Sequence, residues 1–228
     1  HLGQKMKEEM RVDFVAEATL LDDSAKQILS ETEFSSQSEF NPKRAQKVFR
    51  ALQSLGLIDR LKDGGKVLEL GPGHYAFALL ARALGTSVSC FEKDPAFVRL
   101  GRYLGFEVFE GDFYSELMAK LAGRKFDGLW VKGTFHACRM ESDQQVESFS
   151  TQLDATLRFG GWGLLVPVNR AQIGQPSDLV ARRIEVQKES MLGLGWEALE
   201  IDEYARRRLS FFYSGSPYIF LKNIEFRG

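Results

Sequence analysis

From Lys66 to Val168 the chain alternates short apolar runs with amphipathic stretches, the pattern that a mostly parallel sheet covered by crossover helices demands. The apolar runs are Lys66 to Leu70, Ser87 to Glu92, Phe106 to Phe109, Asp127 to Lys132 and Trp162 to Val168. Punctuation agrees with periodicity: Gly85 and Gly105 close the intervening helices, and Asp94-Pro95 opens one. The tail departs from the alternation. Glu197 to Tyr204 and Tyr218 to Phe226, joined by a loop with Ser214-Gly215-Ser216-Pro217, predict an antiparallel pair at the end of the sheet. An α/β, three-layer sandwich with a mostly parallel seven-stranded sheet follows.

Upstream of Asp63-Gly64-Gly65 the pattern is helical. Met6, Met10, Phe14, Ala18, Leu21, Ala25 and Ile28 recur every three or four residues, with a break at Asp22-Asp23-Ser24, where Ser24 and Gln27 have the form of a capping box. Glu33 to Glu39 reads as a Ser-rich loop. Asn41 as N-cap, Pro42 at the first helical position and Gly56 past the end frame a helix whose Ala45, Val48, Phe49, Leu52 and Leu55 share one face. Residues 1–60 are therefore expected to form an N-terminal helical cap or lid on a domain spanning 61–228. Its stripe can pack on the sheet, over a site, or on a second copy of the chain, so a homodimer is one expectation.

Composition narrows the function. Thirty Lys and Arg against 31 Asp and Glu leave a net charge of -1, so the field that draws basic proteins to nucleic acid or anionic membrane is absent. Cys90 and Cys138 lie 48 residues apart without CxxC or Cys/His spacing, which argues against a structural metal site and a secreted disulfide framework. No apolar run reaches membrane-spanning length, and the opening HLGQKMKEEM has no signal-peptide apolar region. A cytoplasmic protein acting on a small molecule is the expectation.

The chemistry concentrates where KVLEL runs into GPGHYA. Gly71 and Gly73 stand at a strand-to-helix turn, where a ligand can meet backbone without a Cβ in between, although a tight turn alone also asks for glycine. Glu92 ends the next run 21 residues beyond Gly71, the spacing at which a carboxylate meets the ribose of an adenosine ligand. A dinucleotide fits the glycines as well, which keeps an NAD-dependent oxidoreductase open.

An acidic residue two positions before alternating glycines, as in Glu69-Leu70-Gly71-Pro72-Gly73, with Glu92 ending the second strand, resembles the class I S-adenosylmethionine-dependent methyltransferases. EGDF at the exit of strand three resembles that family's adenine position, and LRFGGWGLLV resembles its turn into strand five. The terminal strand pair matches its strands six and seven. The resemblance covers about 64–226 and implies a Rossmann-like fold, S-adenosylmethionine as cofactor, and a cofactor site at Glu69, Gly71, Pro72, Gly73, Glu92, Lys93, Asp112, Phe113, Lys132 and Gly133. Tyr75 replaces a glycine frequent in the family; it either crowds the methionine end of the cofactor or walls a substrate pocket. A methyltransferase-like chain that binds without turnover is a further alternative.

The acceptor should approach beyond the carboxyl end of strand four, at VKGTFHACRM. His136 is the candidate base there, because imidazole titrates near neutrality, and it is also a candidate substrate contact; an ordinary loop histidine is the competing reading. Lys132 binds a carboxylate or points to solvent. Phe40, Phe211, Phe212 and Tyr213 are candidates for an aromatic acceptor wall or for plain core, with Phe40 and Tyr213 placed at the substrate. Arg206-Arg207-Arg208 makes either an anion patch or a charged strand edge.

Overall fold

The computed structural model of the chain describes residues 11–31, 42–137, 140–168, 177–200 and 218–224. Expectations on Met6, Met10, Glu33 to Glu39, Phe40, Asn41, Cys138, Arg206 to Arg208, Phe211 to Pro217 and Phe226 fall outside those residues.

Seven strands form one sheet: β1 (Lys66–Leu70), β2 (Ser87–Glu92), β3 (Glu107–Glu110), β4 (Phe126–Lys132), β5 (Leu157–Val166), β6 (Glu197–Glu200) and β7 (Tyr218–Lys222). Their order is β3-β2-β1-β4-β5-β7-β6. The first five run parallel, and β7 lies antiparallel to both β5 and β6. The expected start of β5 moves from Trp162 to Leu157, because a register shift between Phe126 and Gly128 lets Leu157 pair with Phe126 ahead of the main ladder. The third strand starts one residue later than expected: Phe106 instead returns its N–H to Gly101 and stacks on Tyr75.

The helices are α1 (residues 11–18), α2 (Asp23–Ser30), α3 (Pro42–Ser54), α4 (Leu57–Lys62), α5 (Ala76–Ala83), α6 (Pro95–Tyr103), α7 (Phe113–Leu121), α8 (Asp143–Ala155) and α9 (Ser177–Gly193). Two apolar clusters fill the two faces of the sheet. One joins α1 to α6 and carries Val15, Leu52, Phe77 and Trp130; the other lies under α7 to α9 and carries Phe91, Phe135, Phe149 and Met191. Helix α5, AFALLARA, is buried from Ala76 through Ala81 because α3 covers the side turned away from the sheet, and a helix apolar all round needs such a second partner. The N-terminal helices thus share the sheet's core.

One capping assignment changes. Asp22, not Ser24, caps α2: its carboxylate accepts from Ala25 N–H at 2.8 Å, favoured by the positive end of the helix. Asp22 also receives Tyr103 Oη at 2.7 Å, and Glu31 pairs with Arg99 at 2.5 Å, so α2 is fastened along α6. At α6 the sequence pattern holds, with Asp94 accepting from Ala96 N–H at 2.8 Å ahead of Pro95.

Candidate active site

Strand order reverses between β1 and β4, whose crossovers leave in opposite directions and open a crevice at their carboxyl ends. Two cavities lie along this edge. A smaller one, about 240 Å³, is lined by Glu69, Gly71, Pro72, Gly73, Lys132 and Gly133, with Val48, Phe77 and Trp130 among its apolar walls. A larger one, about 400 Å³, is lined by Asp112, Tyr114, His136, Met140, Glu141 and residues along α8. The loop after β4 borders both.

Glu69 is the most unusual group in the smaller cavity. It sits in mid-sheet, paired in register with Cys90 on one side and Trp130 on the other, and is 4% exposed. Burial pushes its carboxyl up to about 8, and the neighbouring Glu92 charge adds to the rise, against relief from the Ala78 backbone N–H and from Lys132. Its Oε2 has no hydrogen-bond partner among the described residues. An unpaired, buried carboxylate oxygen is costly in any fold. A donor reaching Glu69 from this cavity would answer that oxygen.

The two glycines of the turn do different work. Gly71 has φ 64°, and a Cβ there would stand 2.0 Å from Thr134 Cγ2, so packing against the post-β4 loop demands glycine. Gly73 has φ 53°, and a Cβ there would meet nothing within 4 Å. Its open side is the cradle in which a ligand can lie against backbone. Beneath the turn, Phe77 and Trp130 stack at 4.2 Å between centroids and give the cavity an apolar floor.

Glu92 ends β2 at 7% exposure. Its Oε1 accepts from the backbone N–H groups of Lys93 at 2.8 Å and Asp94 at 3.0 Å, and the carboxylate also receives the Gly73 N–H. Burial still outweighs these amides and raises its pKa. Glu92 thereby ties the glycine turn to the end of the second strand. Asp112 caps α7, accepting from Tyr114 N–H at 3.0 Å, while its own N–H donates to Glu116 at 2.8 Å. Phe113 is buried against Phe91, Tyr114 and Phe149.

Tyr75 is not a pocket wall. With φ 59° its side chain turns into the core, fully buried, donating to Phe97 C=O at 2.8 Å and stacking on Phe106 at 5.6 Å. Neither expected role, crowding the cofactor or walling the substrate pocket, survives that orientation. Of the expected acceptor-side residues, His136 does line the larger cavity, and Phe40 and Tyr213 lie outside the described residues.

Sequence reasoning passed over Tyr114, Thr134 and Arg183. Arg183 of α9 is 6% exposed, donates to Glu141 C=O at 2.9 Å and pairs with Asp143, fixing the start of α8 beside the larger cavity. Tyr114 follows Asp112 by two residues, and an aromatic directly after a strand-three turn was the one available signal. Thr134 and Arg183 carried none.

No protein-family model and no curated protein sequence matches the chain. Solved structures do resemble it. WbdD, crystallised with a kinase inhibitor, is 16% identical over 87% of this chain, with a TM-score of 0.56; the chain spans 47% of WbdD. Fibrillarin from Aeropyrum pernix, solved with natively bound S-adenosyl-L-methionine, is 19% identical over 77% of this chain and 73% of its own, with a TM-score of 0.47. CalS10 from Micromonospora echinaspora, an amino pentose methyltransferase solved with S-adenosylmethionine, is 14% identical over 74% of this chain and 89% of its own, at 0.48. At such identities a likeness speaks for architecture. With five parallel strands, the order β3-β2-β1-β4-β5-β7-β6 and an antiparallel β7, the chain has the Rossmann-like seven-stranded α/β fold expected from its sequence.

Proposed function

We propose that this chain transfers a methyl group from S-adenosylmethionine to a small-molecule acceptor. The observation that carries the reading is the buried Glu69, which lines the same small cavity as Gly73 and keeps its Oε2 unpaired among the described residues. A cationic ammonium donor satisfies that oxygen and offsets the charge that burial penalises. In this reading Glu69, the Gly71 to Gly73 turn, Lys132 and Gly133 hold the methionine end, with Lys132 on its carboxylate. Glu92 and Lys93 address the ribose, and Asp112 and Phe113 the adenine. Acidic residues at the ends of the first three strands, in that order, support this assignment over a dinucleotide.

The cofactor, when bound, supplies a methyl already activated on a sulfonium sulfur. The protein's part is alignment and exclusion of water, and fixing two reactants in line is worth several kcal/mol on its own. Phe77 and Trp130 exclude water beneath the site. In this reading His136, which lines the larger cavity, takes a proton from an acceptor that arrives protonated. Helices α1 to α3, packed into the sheet's core, also serve in this reading as the cap, with Val48 of α3 reaching the small cavity; the acceptor is diffusible and cytosolic.

Calorimetry with S-adenosylmethionine, S-adenosylhomocysteine and NAD tests the reading directly. Micromolar binding of the first two without NAD is expected. Tighter binding of NAD, or no binding of either sulfur ligand, overturns it.

A further inference from the structure

The post-β4 loop, GTFHA, is the wall that both cavities share, and its own backbone is anchored at two points: Gly133 N–H donates to Val166 C=O at 2.9 Å, and Phe135 C=O accepts from Val168 N–H at 2.8 Å. Between and beyond these points a further contact comes from another element. Tyr114, second residue of α7, brings its hydroxyl to the loop and donates to Thr134 C=O at 2.7 Å while accepting from His136 N–H at 2.8 Å. One oxygen thus closes a ring across two successive peptide units. The phenol ring is itself wedged in aromatics, 4.6 Å from Phe113, 4.9 Å from Phe149 and 6.3 Å from Phe135 between centroids, so the hydroxyl has little freedom to leave. Thr134 carries the constraint onward: its Oγ1 donates to Leu70 C=O at 3.2 Å, and its Cγ2 fills the space that a Gly71 Cβ would need.

We infer that Tyr114 is a positioning residue whose hydroxyl sets the backbone of Thr134 to His136, and thereby holds His136 and the glycine turn in fixed relation. The contact line runs from α7 through Tyr114 Oη and Thr134 to Gly71, linking the wall of the larger cavity to the glycine turn of the smaller one. The inference rests on the methyl-transfer reading only for its ligand-binding consequence; the loop geometry stands apart from it. Chemically, a phenol suits the task because it is donor and acceptor at once on a rigid ring. Serine or threonine at the start of α7 would be too short, and phenylalanine would leave one carbonyl and one N–H unanswered.

Tyr114→Phe keeps the ring contacts and removes the hydroxyl. In the full chain, amide hydrogen exchange at His136 should quicken at least about tenfold, and the His136 imidazole resonances, assigned through His136→Gln, should shift. Affinity for S-adenosylmethionine should fall about tenfold by calorimetry, one hydrogen-bonded contact's worth on the usual scale. Tyr103→Phe is the control, since it loses a hydroxyl bond of similar length to Asp22 on the far side of α6 and should move neither readout. Unchanged exchange and resonances at His136 in Tyr114→Phe overturn the inference, whatever happens to thermal stability. If wild type binds no S-adenosylmethionine, the functional reading falls while the exchange result still decides the role of Tyr114. Should Tyr114→Phe fail to fold, exchange in the wild type decides: His136 N–H must be protected well beyond its neighbours in the loop, and exchange near the open-chain rate overturns the inference.

Discussion

Gly71 and Gly73 share one turn and one motif, yet they answer to different forces, and substitution separates them. An alanine at Gly71 must push its Cβ into Thr134 and hold a positive φ, two strains that together cost about 2 to 4 kcal/mol. An alanine at Gly73 meets no protein atom and pays the backbone term alone, about 1 to 2 kcal/mol. Binding should rank the other way relative to stability. Gly73→Ala is expected to stay folded and lose most of its affinity for S-adenosylmethionine, because the methyl stands in the open cradle. Gly71→Ala is expected to lose thermal stability first. Thermal melts beside calorimetry distinguish them, and Gly73→Ala with wild-type affinity would remove that glycine from the site. Reading the sequence alone assigns both glycines to ligand approach, since the partner that crowds Gly71 arrives from 63 residues away and leaves no mark near the motif.

At the scale of elements, much was legible because local rules and tertiary demands coincide. β1 and β2 stand where apolar runs and their bounding glycines put them, and Asp94-Pro95 starts α6 by its own capping chemistry. What stayed hidden was orientation. Tyr75 follows the glycine turn and reads as either crowding the cofactor or walling the substrate pocket, but its left-handed backbone swings the ring inward, toward α6. Only a glycine at 101 makes room: a Cβ there would lie 2.2 Å from Tyr75 Oη. This pair reverses an ordinary expectation. Gly→Ala inside a helix usually gains about 1 kcal/mol from propensity, whereas Gly101→Ala must displace a fully buried tyrosine and should destabilise by about 1 to 3 kcal/mol. Urea denaturation measures the sign. A gain in stability would mean that Tyr75 does not occupy the position described, and would reopen its role at the ligand. The capping residue of α2 is a local matter instead: Asp22, two residues before Ser24, accepts from Ala25 N–H, and Tyr103, 81 positions on, adds a bond to the other oxygen of the same carboxylate.

For the whole molecule, the buried acids set how stability follows pH. Glu69 is raised from an ordinary 4.5 to about 8 by burial, and Glu92 is raised by the same cause. A carboxyl with a higher pKa folded than unfolded holds more protons in the native state throughout the interval between the two values. Unfolding there releases a proton, so stability falls as pH rises from about 4.5 and levels off above about 8. Glu107, lowered chiefly by its hydrogen bond with Arg124, works in the opposite sense, but its stabilisation is lost only as pH falls below the ordinary carboxylate range. Between pH 5.5 and 8.5 Glu69 therefore governs the carboxylate contribution. Urea denaturation across that range should show decreasing stability in the wild type, and Glu69→Gln, isosteric and uncharged, should flatten the slope while other titrating groups, histidines included, remain common to both. A cation bound at Glu69 favours its ionised form, so S-adenosylmethionine should bind more tightly as pH rises toward 8 and should release protons on binding at pH 7, read as a dependence of the calorimetric heat on the buffer's ionisation enthalpy. Parallel stability slopes in wild type and Glu69→Gln would show that Glu69 is already ionised in the folded chain, and the demand for a cationic partner at its Oε2 would then have to be met from within the protein.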